Sequence, residues 1–249
     1  MTKFFYVTGD SFAFGQELGD SLPKLFKFTQ YQREHCYSGL ICDRKNIPNY
    51  KNTACPGGSN ERAYRFLIND ISNALKIYKP EEIFVNVSIT HDTRREFCLT
   101  EQINNNLNGG DFYLHLNSWE PINTATHFKD MWYILTKYFN HDIGHNTFGM
   151  MILLGMQNFL RINKVPYLFT SSMGNQYERA VQENFISQAL VDQIYEKRYL
   201  RNTSFMHFNW DKHLPTGPGL HPLEEGHIQW ANHLQNYIDD NNLWGNEDL

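Results

Sequence analysis
Alternating strand and helix patterns predict a doubly wound α/β fold, with a mostly parallel sheet covered by helices on both faces. Three stretches carry that reading. Residues 3–8 form a β-prone run that breaks at Gly9-Asp10-Ser11. Residues 61–90 read as a helix, a Lys79-Pro80 stop and a strand, and residues 147–171 repeat the order of helix and then strand.

The first strand, 3–8, ends in a glycine turn. After an irregular, aromatic-rich stretch, residues 50–54 form a short second strand closed by Cys55-Pro56-Gly57-Gly58-Ser59-Asn60. A helix over 61–78 follows, because Phe66, Leu67, Ile71, Leu75 and Tyr78 recur at three- and four-residue spacing; Ser59 or Asn60 caps it. The strand at 82–90 is apolar enough for a sheet centre. Residues 147–162 make a second apolar helix, and 165–171 a strand entered through Pro166. Residues 176–198 read as one helix, 203–208 as a last strand, and 222–239 as a closing helix with Pro222 in its first position. The stretch 99–142 is the candidate insertion or lid, and its aromatics Trp132, Tyr133, Tyr138 and Phe139 read as the buried face of a helix. Residues 1–249 are expected to form one domain.

Composition narrows the class of function. With 41% hydrophobic and 20% charged residues, the chain reads as an ordinary globular protein. Its first residues turn polar too soon for a signal peptide, and no segment approaches the roughly 20 apolar residues of a membrane span. Cys36, Cys42, Cys55 and Cys98 form no CxxC pair, which suits a reducing cytoplasm. A net charge of -5 offers no general attraction to nucleic acid. No metal and no organic cofactor is expected. His141 and His145 have metal-pair spacing, but Gly144 interrupts them and no HExxH glutamate accompanies them; Gly57-Gly58 lacks the pattern of a nucleotide loop.

Two residues point to chemistry. Ser11 stands where a strand turns sharply, and Gly9 removes the Cβ clash such a turn creates. A serine hydroxyl is a poor nucleophile unless a base activates it, and the bland alternative is that Ser11 only caps a turn. The candidate base is His221, left in a turn by Pro222; its alternative is an N-cap neighbour beside Glu224. His227, inside the closing helix, is expected to be structural.

With Gly9-Asp10-Ser11, the Gly57-Gly58-Ser59-Asn60 turn and His221-Pro222 in this order, the chain resembles the SGNH (GDSL) hydrolase superfamily. Gly-Asp-Ser-Phe with Gly15, residues 50–60 and the His-Pro to Gly-His segment look most like its bacteriophage-type members, which would place the protein in a host cytoplasm. The resemblance implies a three-layer α/β/α sandwich with a flavodoxin-like sheet and an acyl-serine intermediate, with Ser11 as nucleophile and His221 as base. It implies an oxyanion held by the N–H groups of Ser11 and Gly58 and by a side chain of the third block, donors each worth about a hundredfold or more in rate. That block departs from the family pattern: Thr90 or His91 stands in for its asparagine. Asn60 and Arg94 are the candidate substrate contacts. Pro218 occupies the place of the acid that orients the histidine, leaving a Ser-His dyad, a backbone carbonyl near Pro218, or a remote acid such as Asp211. Asp10 is expected to serve the turn. The implied activity is cleavage of a carboxylic ester, an O-acetyl or other small acyl group on a small molecule or glycan. The rival expectation is a degenerate member that binds a ligand or a protein without turnover.

Overall fold
In a computed structural model of the chain, the described residues are 1–19, 28–98, 113–116, 133–134, 137–138, 141–174, 176–246 and 249. A five-stranded sheet lies at the centre, formed by β1 (Phe4–Thr8), β2 (Asn49–Asn52), β3 (Ile83–Ile89), β6 (Tyr167–Ser171) and β7 (Tyr199–Ser204). Its order is β2-β1-β3-β6-β7, and every pair is parallel. A separate antiparallel hairpin pairs β4 (Arg95–Cys98) with β5 (Tyr113–Leu116).

Side-chain alternation explains the layers. Phe5, Val7, Phe84 and Leu168 join one core, whereas Tyr6, Val85, Val87, Tyr167 and Phe169 join the other. The first core packs Ile41 of α3 (Tyr37–Arg44) and Trp230 and Leu234 of α9 (Glu224–Asp240). The second packs Leu67 and Ile71 of α4 (Asn60–Ala74) and Met150, Leu153 and Met156 of α5 (Asp142–Ile162). β3 is buried along its whole length, as a strand covered on both faces must be. Because β1 is flanked by β2 and β3, the chain winds away from it in both directions. The carboxyl ends of β1 and β3 thus form the switch point at which sheets of this kind place their sites.

Several expectations change. The irregular stretch before β2 contains α2 (Gln30–His35) and α3; Thr29 and Gln32 close a capping box at the start of α2. The helix expected over 176–198 ends after α6 (Gln176–Gln182), where Asn184 turns left-handed at φ 60°, and resumes as α7 (Gln188–Val191). Part of the strand expected at 203–208 is instead α8 (Phe205–Asp211), because the Ser204 hydroxyl caps it by accepting from His207 N at 3.2 Å. α9 begins at Glu224, two residues beyond Pro222. Tyr133 and Tyr138 are exposed, with Lys137 above both rings, rather than buried. Trp132, Phe139 and most of the candidate lid at 99–142 lie outside the described residues. The hairpin at its start is fastened to α4 by Arg65–Glu96 and Arg95–Glu61. Among the described residues no helix is long and apolar enough to cross a membrane.

Candidate active site
At the end of β1 the chain makes a turn that only glycine accommodates. Gly9 has φ +145°, and a Cβ there would lie 2.6 Å from the Ser88 carbonyl oxygen. Asp10 then caps the short helix α1 (Ser11–Phe14), its Oδ1 accepting from Phe12 N at 3.1 Å. The same oxygen accepts from Ser172 Oγ, and Oδ2 accepts from Thr90 Oγ1 and Arg94 Nη1, all at 2.8 Å. Asp10 is fully buried, and its four donors come from α1 and from the segments that follow β3 and β6. Ser11 is 3% exposed, and as the first residue of α1 its N–H meets no backbone carbonyl among the described residues.

Several predicted contacts are spent inside the protein. Thr90 donates its hydroxyl to Asp10 and its N–H to Asn60 Oδ1 at 3.0 Å, so neither faces a ligand. Asn60 returns its amide to the Thr90 carbonyl at 3.0 Å and Asp92 Oδ1 at 2.9 Å, which makes it a clamp between α4 and the end of β3. Ser59, not Asn60, caps α4. Arg94 is 8% exposed and turned inward onto Asp10, Thr90 and Met173 Sδ. The Gly58 N–H closes a turn onto the Cys55 carbonyl at 2.8 Å, with Pro56 and left-handed Gly57 at its corners.

His91 remains at the surface with its Nδ1 2.9 Å from Thr93 Oγ1; packing around the ring, then the charges of Arg94 and His145, favour its neutral form. It borders a cleft of about 520 Å³ that Thr90, His145, Met173, Arg179 and His207 also line. Neither Ser11 nor His221 lines this cleft, which runs beside their corner along the ends of β3 and β6. Loss of water, followed by Arg95, lowers His145 as well. His141 is the N-cap of α5, its Nδ1 accepting from Ile143 N at 3.3 Å.

The loop before α9 brings His221 to the first turn of α1. Its ring centroid lies 5.1 Å from that of Phe12, the residue after Ser11. No hydrogen bond joins Ser11 Oγ to the imidazole. The ring is held from its other side by a residue that sequence reasoning missed. Glu17 Oε2 lies 3.1 Å from His221 Nδ1 and accepts from His221 N at 3.2 Å, while Oε1 accepts from Gly219 N at 2.6 Å. Asp211 borders a different surface pocket, with Leu200 and His233. No local pattern announces Glu17, because its partner lies 204 positions away. Behind His221, His227 is sealed between Tyr37 and Phe205; burial, then the neighbouring His221, pushes it down to about 3.

Comparison with known proteins agrees with this architecture. A solved structure of TesA is 12% identical, covers 96% of this chain and 99% of its own, and superposes with a TM-score of 0.51. An acetyl-xylooligosaccharide esterase from Geobacillus stearothermophilus, solved as a mutant of Axe2, is 12% identical over 95% of this chain and 94% of its own, with a TM-score of 0.49. A member of the lipolytic protein G-D-S-L family from Veillonella parvula is 13% identical over 94% and 96%, with a TM-score of 0.45. The likeness is one of fold, carried by the first of these, and the fold is a three-layer α/β/α sandwich around a parallel sheet. No curated protein sequence matches the chain. A family described as a family of unknown function, DUF6071, matches residues 16–248, and the chain belongs to that family.

Proposed function
We propose that the chain is a serine hydrolase that cleaves a small carboxylic ester through an acyl-serine intermediate. In this reading Ser11 Oγ attacks the carbonyl carbon and His221 Nε2 takes its proton. The oxyanion forms beside the Ser11 N–H. The imidazolium then protonates the departing alkoxide, and a water molecule, deprotonated by the same nitrogen, releases the acid and restores the serine. The observation that carries the reading is the His221 ring. It is gripped at Nδ1 by a carboxylate, makes no hydrogen bond at Nε2 to any of the described residues, and packs against the residue that follows Ser11. The deep setting of Ser11 favours a small acyl group such as an O-acetyl.

The commitment of Gly58 N–H and Thr90 to internal hydrogen bonds, with no Ser11–His221 hydrogen bond, favours a second reading, a site that binds without turnover. Hydrolysis of p-nitrophenyl acetate separates the two. Turnover is expected to fall by at least about 10³-fold in folded Ser11→Ala. Equal rates in wild type and variant would leave the binding site as the better reading.

A further inference from the structure
We infer that Glu17 is the positioning acid of this site, so that the carboxylate orienting the base comes from the nucleophile's own segment rather than from the residues preceding His221. The inference rests on the serine-hydrolase reading and adds to it. A carboxylate can only accept, so its contact with Nδ1 at 3.1 Å puts a ring proton on Nδ1, and in the neutral imidazole that leaves the lone pair on Nε2. That is the tautomer a base needs.

The surroundings are built for this carboxylate. Gly217 and Gly219 leave the space it fills: a Cβ on Gly217 would lie 2.5 Å from Glu17 Oε2, and one on Gly219 2.9 Å from Oε1 and 3.1 Å from His221 Nδ1. Two backbone N–H groups of the same loop, at Gly219 and His221, fix its two oxygens. Glu17 at φ 70° and Leu220 at φ 66° both hold left-handed backbone that non-glycine residues rarely adopt. The chain therefore bends on both sides to bring the pair together. Pro218, at the place where the resemblance puts the acid, lies within the loop that wraps the carboxylate.

The test compares wild type with Glu17→Gln, Glu17→Asp and Gly219→Ala. One arm is the rate of Ser11 labelling by a fluorophosphonate; the other is the ¹⁵N spectrum of the His221 ring, assigned with His221→Ala. Wild type should show the proton on Nδ1. In Glu17→Gln the amide can donate to Nδ1 and turn the ring to the opposite tautomer, with labelling slowed on the order of 10²- to 10⁴-fold in a protein that melts cooperatively. Glu17→Asp, which keeps the charge on a shorter arm, should recover part of the rate, and Gly219→Ala should lose part of it. Undiminished labelling and an unchanged tautomer in folded Glu17→Gln would overturn this inference while leaving the hydrolase reading intact. No labelling of folded wild type would overturn the hydrolase reading and this role with it.

Discussion

Asp10 and Glu17 flank the same short helix, and the molecule uses them in opposite ways. Asp10 belongs to the recognisable Gly-Asp-Ser turn, is fully buried, and spends both oxygens on Phe12, Ser172, Thr90 and Arg94. It ties three strand ends together. Glu17 belongs to no pattern, sits at the rim with its side chain 8% exposed, and reaches a loop from the far end of the chain. The carboxylate beside the nucleophile in sequence thus holds the scaffold, and the one that the sequence does not advertise faces the candidate base. A short sequence block marks where a site is built without saying which of its groups meets the chemistry.

The comparison makes unequal predictions. Asp10→Ala removes the carboxylate that pairs with the buried Arg94 guanidinium at 2.8 Å, and its expected cost is about 3–5 kcal/mol by urea unfolding. Glu17→Gln keeps the shape of the side chain and should cost only about 1–2 kcal/mol, its main effect appearing in reactivity. Equal losses of stability in the two would erase the distinction drawn here.

A second pair sharpens it. His221 faces the candidate site with a carboxylate partner, while His227 is sealed in the core, where burial pushes it down to about 3. The unfolded chain binds a proton at His227 below about pH 6.5, and the folded one does not until about pH 3. Between these values the unfolded state carries more protons, so stability is full above about pH 6.5 and falls with acidification by about 1.4 kcal/mol per pH unit. In His227→Gln, whose side-chain oxygen can still accept from Tyr37 N, that slope should shrink between pH 6 and 5. An unchanged slope would mean that other groups set it. The smallest effect is expected at Ser59→Ala, which removes the cap of α4 and should cost about 1 kcal/mol without changing reactivity at Ser11.

Much of the scaffold was legible because it rests on local rules. The alternation of Phe5, Tyr6 and Val7 between two cores, the glycine turn after β1 and the cap before α4 each follow from neighbours in sequence. The helices that were missed or misplaced turn on single residues: the Thr29 cap, the left-handed Asn184 and the Ser204 cap, which converts an apparent strand into α8. The site was legible only in part. Thr90, Asn60 and Arg94 have the chemistry of ligand contacts, but buried polar groups must be satisfied, and these satisfy one another and Asp10. Glu17 was illegible because an acid 204 positions from its partner becomes meaningful only once the loop at Gly217 has folded around it.

The most direct test of the central claim is labelling of the purified protein with a fluorophosphonate, with the modified residue located by mass spectrometry. The account predicts a single adduct on Ser11, absent in Ser11→Ala and formed at least about 10²-fold more slowly in His221→Ala. A folded wild-type protein that takes no label at Ser11, or labels equally fast without His221, would contradict it.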